Sequence, residues 1–88
     1  MHILIQDIID GLGPHYMEFI LGDLPSPGFV KNIGLHGVIQ PVTLAKVNGY
    51  YFIVAGSRRI KAAIDNSIES VAYEDVGDKT LEEAKALR

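Results

Sequence analysis

Cysteine is absent from this chain. That excludes a disulfide framework, a thiolate metal site and any chemistry through a cysteine nucleophile. No run of about 18 apolar residues is long enough to span a membrane. The opening Met1-His2-Ile3-Leu4-Ile5-Gln6-Asp7 lacks the basic region of a secretory signal, and acidic residues follow at once. The expectation is a cytoplasmic protein with no membrane partner. Positive charge is also in short supply, with eight Lys and Arg against eleven Asp and Glu, net −3. A domain that grips DNA phosphates over a wide face is normally basic, so any DNA contact by this chain alone is expected to be weak or indirect.

What is present reads as one globular domain over residues 1–88, near the lower limit at which a single core suffices. Hydrophobic residues make up 48% and charged residues 22%, a balance for folding and against disorder. There is no internal repeat, low-complexity tract or linker. Residues 2–9 are apolar and β-branched, which suggests an opening strand, and Gly11-Leu12-Gly13-Pro14 turns the chain. Residues 16–21 are apolar on all sides and are read as a short helix ended by Gly22. Ser26-Pro27 pairs an N-cap with proline at the first helical position. The helix it starts shares a face among Phe29, Val30 and Ile33 and stops at Gly37. Gln40-Pro41 forces an extended path, because the residue before proline is pushed out of the α region.

Residues 42–47 alternate loosely, Asn48-Gly49 follows, and residues 50–54 form an aromatic and β-branched run. Asn-Gly between two such runs predicts a hairpin with a type I′ turn, whose second strand is buried on both faces. A helix over residues 57–65 turns Ile60, Ala63 and Ile64 inward. A strand over residues 68–74 and a last helix, opened by the capping box Thr80-Leu81-Glu82-Glu83, complete the chain. The fold class is α+β: a small mixed β-sheet flanked by short helices.

Chemistry concentrates where the buried strand gives way to a helix, at Gly56-Ser57-Arg58-Arg59-Ile60-Lys61. A helix N-terminus offers unpaired N–H groups and a partial positive charge, the usual setting for a bound anion. Cations there are misplaced, at about 0.3–1 kcal/mol each when exposed, unless a multiply charged phosphate joins them. The competing reading has Arg58, Arg59 and Lys61 pointing into water or pairing with Glu69, Glu74 or Asp75. Residue chemistry alone leaves both open.

Two stretches in this order, Ile33-Gly34-Leu35-His36-Gly37-Val38-Ile39-Gln40-Pro41-Val42 and Tyr51-Phe52-Ile53-Val54-Ala55-Gly56-Ser57-Arg58-Arg59-Ile60-Lys61-Ala62-Ala63, resemble the N-terminal domain of ParB-like proteins, within the ParB/sulfiredoxin superfamily. The resemblance covers about residues 29–75 and implies a nucleotide pocket. In it Gly56, Ser57, Arg58, Arg59 and Lys61 match the box that holds the triphosphate of CTP with Mg2+. Gly37, Gln40 and Pro41 match the wall beside the nucleotide. Ser57 stands where ParB proteins usually carry glutamate, and Lys61 where many carry arginine. The resemblance further implies a part in DNA partition, in transcriptional regulation or in a mobile-element system, through self-association, a partner protein or a separate DNA-binding domain. Two rivals belong with it: a phosphotransferase or nuclease of the same superfamily, with catalytic residues unassigned, and an interaction module without nucleotide. A sulfiredoxin activity is excluded, since it needs cysteine.

Other residues are read as ordinary. His2, His15 and His36 are far apart, with no carboxylate at ligand spacing, so no metal site is assigned. Asp7 and Asp10 cap or face solvent, and Gly11-Leu12-Gly13 lacks the third glycine of a dinucleotide fingerprint.

Overall fold

The computed structural model describes the chain from Met1 to Arg88. Its most locally determined piece is the hairpin of β2 (Val42–Val47) and β3 (Tyr50–Ala55). Asn48 and Gly49 both adopt positive φ, 53° and 83°, as the type I′ turn requires. Side chains then sort by strand parity. Val42, Leu44 and Ile53 point to one face of the sheet, where they meet Ile5, Ile8, Leu12, Ile60, Ala63 and Val71. Ala45, Val47, Phe52 and Val54 point to the other, where Ala84 covers them. β3 is thus buried on both faces, as its composition predicts.

The strand read over residues 2–9 is corrected by the structure. β1 spans only His2–Leu4, and Ile5–Gly11 forms helix α1. The reason is periodicity: Ile5, Ile8 and Leu12 fall on one helical stripe and are all buried. The β-branched isoleucines that suggest a strand serve as core residues of a helix. A 3-10 turn at Gly13–His15 leads into α2 (Tyr16–Leu21), none of whose residues is buried.

α3 (Pro27–His36) begins as expected, with the Ser26 side chain accepting from the Phe29 amide at 3.2 Å, and Gly37 ends it at φ 73°. Of its apolar face only Ile33 is buried; Phe29 remains 37% exposed. α4 (Ser57–Asp65) crosses from β3 to β4 (Ser70–Asp78), which runs parallel to β2 and antiparallel to β1. The mixed sheet has the order β1-β4-β2-β3, so β3 lies at one edge. Ile60 and Ala63 face the core as expected, but Ile64 is 43% exposed and Ala62 is buried instead. α4 is wedged between the sheet and α3, where Asn66 Nδ2 donates to Val30 O at 2.8 Å and Ala62 O at 2.9 Å. Burying the Ala62–Asn66 side rotates Ile64 outward. α5 (Leu81–Ala86) starts with the capping box read from sequence. No helix is long and apolar enough to cross a membrane.

Candidate functional site

β3 delivers the chain to α4 through Gly56, at φ 106° and ψ 14°. Two constraints demand glycine there. The left-handed backbone is one, and the other is Val42, whose Cγ1 lies 2.6 Å from where a Cβ would stand. The missing side chain therefore makes room for a strand residue and not for a ligand. With Gly56 as its cap residue, α4 has no side-chain cap, whereas Ser26 and Thr80 cap α3 and α5. Its first-turn amides are left without an intrahelical partner.

Those amides border a cleft of about 560 Å3 along the outer edge of β3. Gly56, Ser57 and Arg58 form one end, Phe52 to Ala55 the strand wall, and His15, Glu18, Phe19, Gly22 and Asp23 the opposite wall. Arg88 lines the cleft from the far end of the chain.

The cations of the box part company. Arg58 lines the cleft and has no hydrogen bond or ion pair to the protein. Arg59 Nη1 donates to Gln40 O at 3.1 Å and Pro41 O at 2.8 Å. In this chain the arginine box thus satisfies the carbonyls of the Gln-Pro pair as the chain turns into β2. Lys61 Nζ donates to Gly22 O at 3.2 Å and Asp23 O at 3.1 Å, and lies 5.0 Å from the centre of the Phe19 ring. It secures the end of α2 from behind the cleft wall. None of the three pairs with Glu69, Glu74 or Asp75. The carbonyl groups they meet instead carry no sequence signature.

Gly56, Ser57 and Arg58 are therefore together at the cleft. Arg59 and Lys61 brace its surroundings, and Gly37, Gln40 and Pro41 do not line it. Gly37 terminates α3 with its amide on Ile33 O, at 2.7 Å.

Three cleft residues escape sequence reasoning. His15 meets Phe52 edge-on, with ring centres 5.3 Å apart, and its Nε2 is buried without a hydrogen-bond partner. Glu18 pairs with Arg88. Arg88 lies over the Phe52 ring, 4.2 Å from its centre, and donates from Nε and Nη2 to Ile53 O. Nothing in spacing connects residues 18, 53 and 88; only the edge position of β3 brings them together. No group of three or more His, Asp or Glu side chains is arranged to hold a metal ion. Glu18, engaged by Arg88, and Asp23 are the only carboxylate side chains lining the cleft. A magnesium site made by the protein alone does not fit here.

A hairpin at the edge of a mixed sheet, feeding an uncapped and arginine-bearing helix, defines an α+β domain built around a candidate anion site. The chain matches the ParB N-terminal domain family over residues 27–87, well over half its length, and belongs to that family. The comparisons with curated proteins and with solved structures give no match. The cleft extends beyond the family match, since His15, Glu18, Phe19, Asp23 and Arg88 all lie outside it.

Proposed function

We propose that this domain binds a nucleoside triphosphate, CTP being the first candidate, with the phosphates against the first turn of α4. The observation that carries this reading is an unpartnered Arg58 beside uncapped backbone amides at the end of a cleft. Positive charge at a helix N-terminus is unfavourable in isolation and becomes favourable with a polyanion present. A volume of about 560 Å3 suits a small-molecule ligand. Ser57 adds a hydroxyl at the same end. Magnesium would arrive on the phosphates, since Mg2+ is commonly held by one or two carboxylates together with phosphate oxygens and water. Binding would serve DNA partition or transcriptional regulation through a partner, a second copy of the chain or a separate DNA-binding domain.

Calorimetry with CTP, ATP and GTP, each with Mg2+, tests this on the wild type and Arg58→Ala. The expected result is saturable binding of at least one nucleotide, weakened on the order of tenfold or more in Arg58→Ala, since a charge-assisted hydrogen bond is among the stronger contacts available. Turnover of the bound nucleotide would favour the enzymatic rival. Silence with all three nucleotides overturns the proposal.

A second reading has its own observation. Met17, Leu21 and Leu24, on and just after α2, are each more than half exposed. Apolar side chains gathered in this way suit contact with another protein, and the two readings are compatible.

A further inference from the structure

We infer that Arg88 is the second cation of the cleft, a polyphosphate-binding residue held in place by Glu18 until an anion arrives. The inference rests on the nucleotide reading for the identity of its ligand, and it adds a residue that neither the arginine box nor the family match contains.

The first argument is elimination. Of the basic side chains close to the start of α4, Arg59 and Lys61 are bound to backbone carbonyls. The arginines that line the cleft are Arg58 and Arg88. One comes from the first turn of α4 and the other from beyond α5, so together they bring positive charge to the cleft from two separate elements.

The second argument is the way Arg88 is held. A guanidinium has five N–H donors in a planar fork. Nε and Nη2 donate to Ile53 O at 3.2 and 3.0 Å, and Nη1 pairs with Glu18. The group also lies over the Phe52 ring. Ile53 belongs to the edge strand, and Phe52 is fully buried. The guanidinium is therefore fixed by rigid parts of the fold, with two donors uncommitted. A cation ordered before the ligand arrives loses little further freedom on binding. The planar fork also matches phosphate oxygens in two-pronged fashion, as a lysine cannot.

The third argument concerns Glu18. Its pair with Arg88 is solvent-exposed, at 47% and 39% side-chain exposure for the acid and the arginine. Such pairs hold weakly. A triphosphate carries more charge than one carboxylate and can take over the bond that Glu18 makes, while the contacts to Ile53 O and Phe52 keep the guanidinium where it is. Glu18 is then a positioning residue and a built-in competitor.

The test is calorimetry with Mg-CTP and, separately, inorganic tripolyphosphate, on the wild type, Arg58→Ala, Arg88→Ala, Arg88→Lys and Glu18→Gln. Thermal melts identify any variant that has lost its fold. Arg88→Ala is expected to weaken both probes on the order of tenfold, and Arg88→Lys to recover part of that loss. Glu18→Gln should bind both several-fold more tightly, and most of that gain should disappear in the Glu18→Gln/Arg88→Ala double variant, which a merely electrostatic effect of Glu18 would not give. If Arg58→Ala weakens binding while Arg88→Ala matches or exceeds the wild type, Arg88 is a plug or an edge brace. The inference then fails and the nucleotide reading stands. If tripolyphosphate binds through both arginines and no nucleotide binds, the nucleotide reading fails and the role of Arg88 stands. Absence of binding by either probe overturns both.

Discussion

Arg59 shows how one side chain in a basic motif can be occupied by the fold itself. Its two hydrogen bonds, to Gln40 O and Pro41 O, fasten the first turn of α4 to the start of β2. Hydrogen bonds from a charged donor contribute roughly 1.5–3 kcal/mol, the lower end applying to an exposed site such as this. Arg59→Ala is therefore expected to lower Tm by several degrees, whereas Arg58→Ala should leave the thermal melt close to wild type. Differential scanning calorimetry of the two variants separates these roles; equal melts would show that the Arg59 contacts contribute nothing. At this scale the site was legible in part. The Gly56-Ser57-Arg58 turn could be read from the order strand, glycine, basic helix. The division of labour among Arg58, Arg59 and Lys61 could not, because it depends on carbonyl groups that every residue carries alike. His15, Glu18 and Arg88 were invisible for a different reason, since their meeting depends on which strand lies at the edge of the sheet.

At the scale of elements, the features that could be read were the ones fixed by neighbouring residues. Asn48-Gly49 dictated the hairpin, Ser26-Pro27 the start of α3, and Thr80 with Glu83 the start of α5. The boundary between β1 and α1 was lost because the isoleucines of residues 2–9 favour a strand, while the helical stripe Ile5, Ile8 and Leu12 emerges only when the window extends past residue 9. The start of α5 also predicts a pH effect. The Thr80 amide and hydroxyl, hydrogen-bonded with Glu83, hold its carboxyl below the ordinary glutamate value, with Lys79 helping. A lowered folded-state pKa means that ionised Glu83 stabilises the fold above the ordinary glutamate pKa of 4.5. That contribution fades as pH falls through the lowered value. The wild type should therefore melt higher than Glu83→Gln at neutral pH, with the difference shrinking on acidification below that range. Melts from pH 7 down to about 3 check this, and a difference that does not change with pH would place the effect outside the capping carboxylate.

For the molecule as a whole, the net charge of −3 sets what it can do unaided. Electrostatic affinity for duplex DNA scales with the number of phosphates neutralised. Four of the eight basic residues, Arg58, Arg59, Lys61 and Arg88, lie in or around one cleft; Arg59, Lys61 and Arg88 donate to backbone carbonyls, and Arg88 also pairs with Glu18. The isolated domain is expected to produce no mobility shift of duplex DNA at physiological salt up to tens of micromolar protein, a concentration within the range of about 1–100 μM at which nonspecific binders bind. A clear shift under those conditions would require a basic face formed by more than one copy. On the proposed nucleotide reading, any action on a chromosome or plasmid would pass through assembly, with a ligand in the cleft controlling whatever makes the DNA contact.

The collision between Val42 and any side chain at residue 56 bears on how relatives of this domain are interpreted. A relative without any anion site is still expected to keep that glycine, because a side chain there would meet Val42 in a left-handed backbone. Surveys seeking degenerate members should therefore weigh substitutions at 57, 58 and 88, and treat an intact glycine as a sign of preserved architecture only.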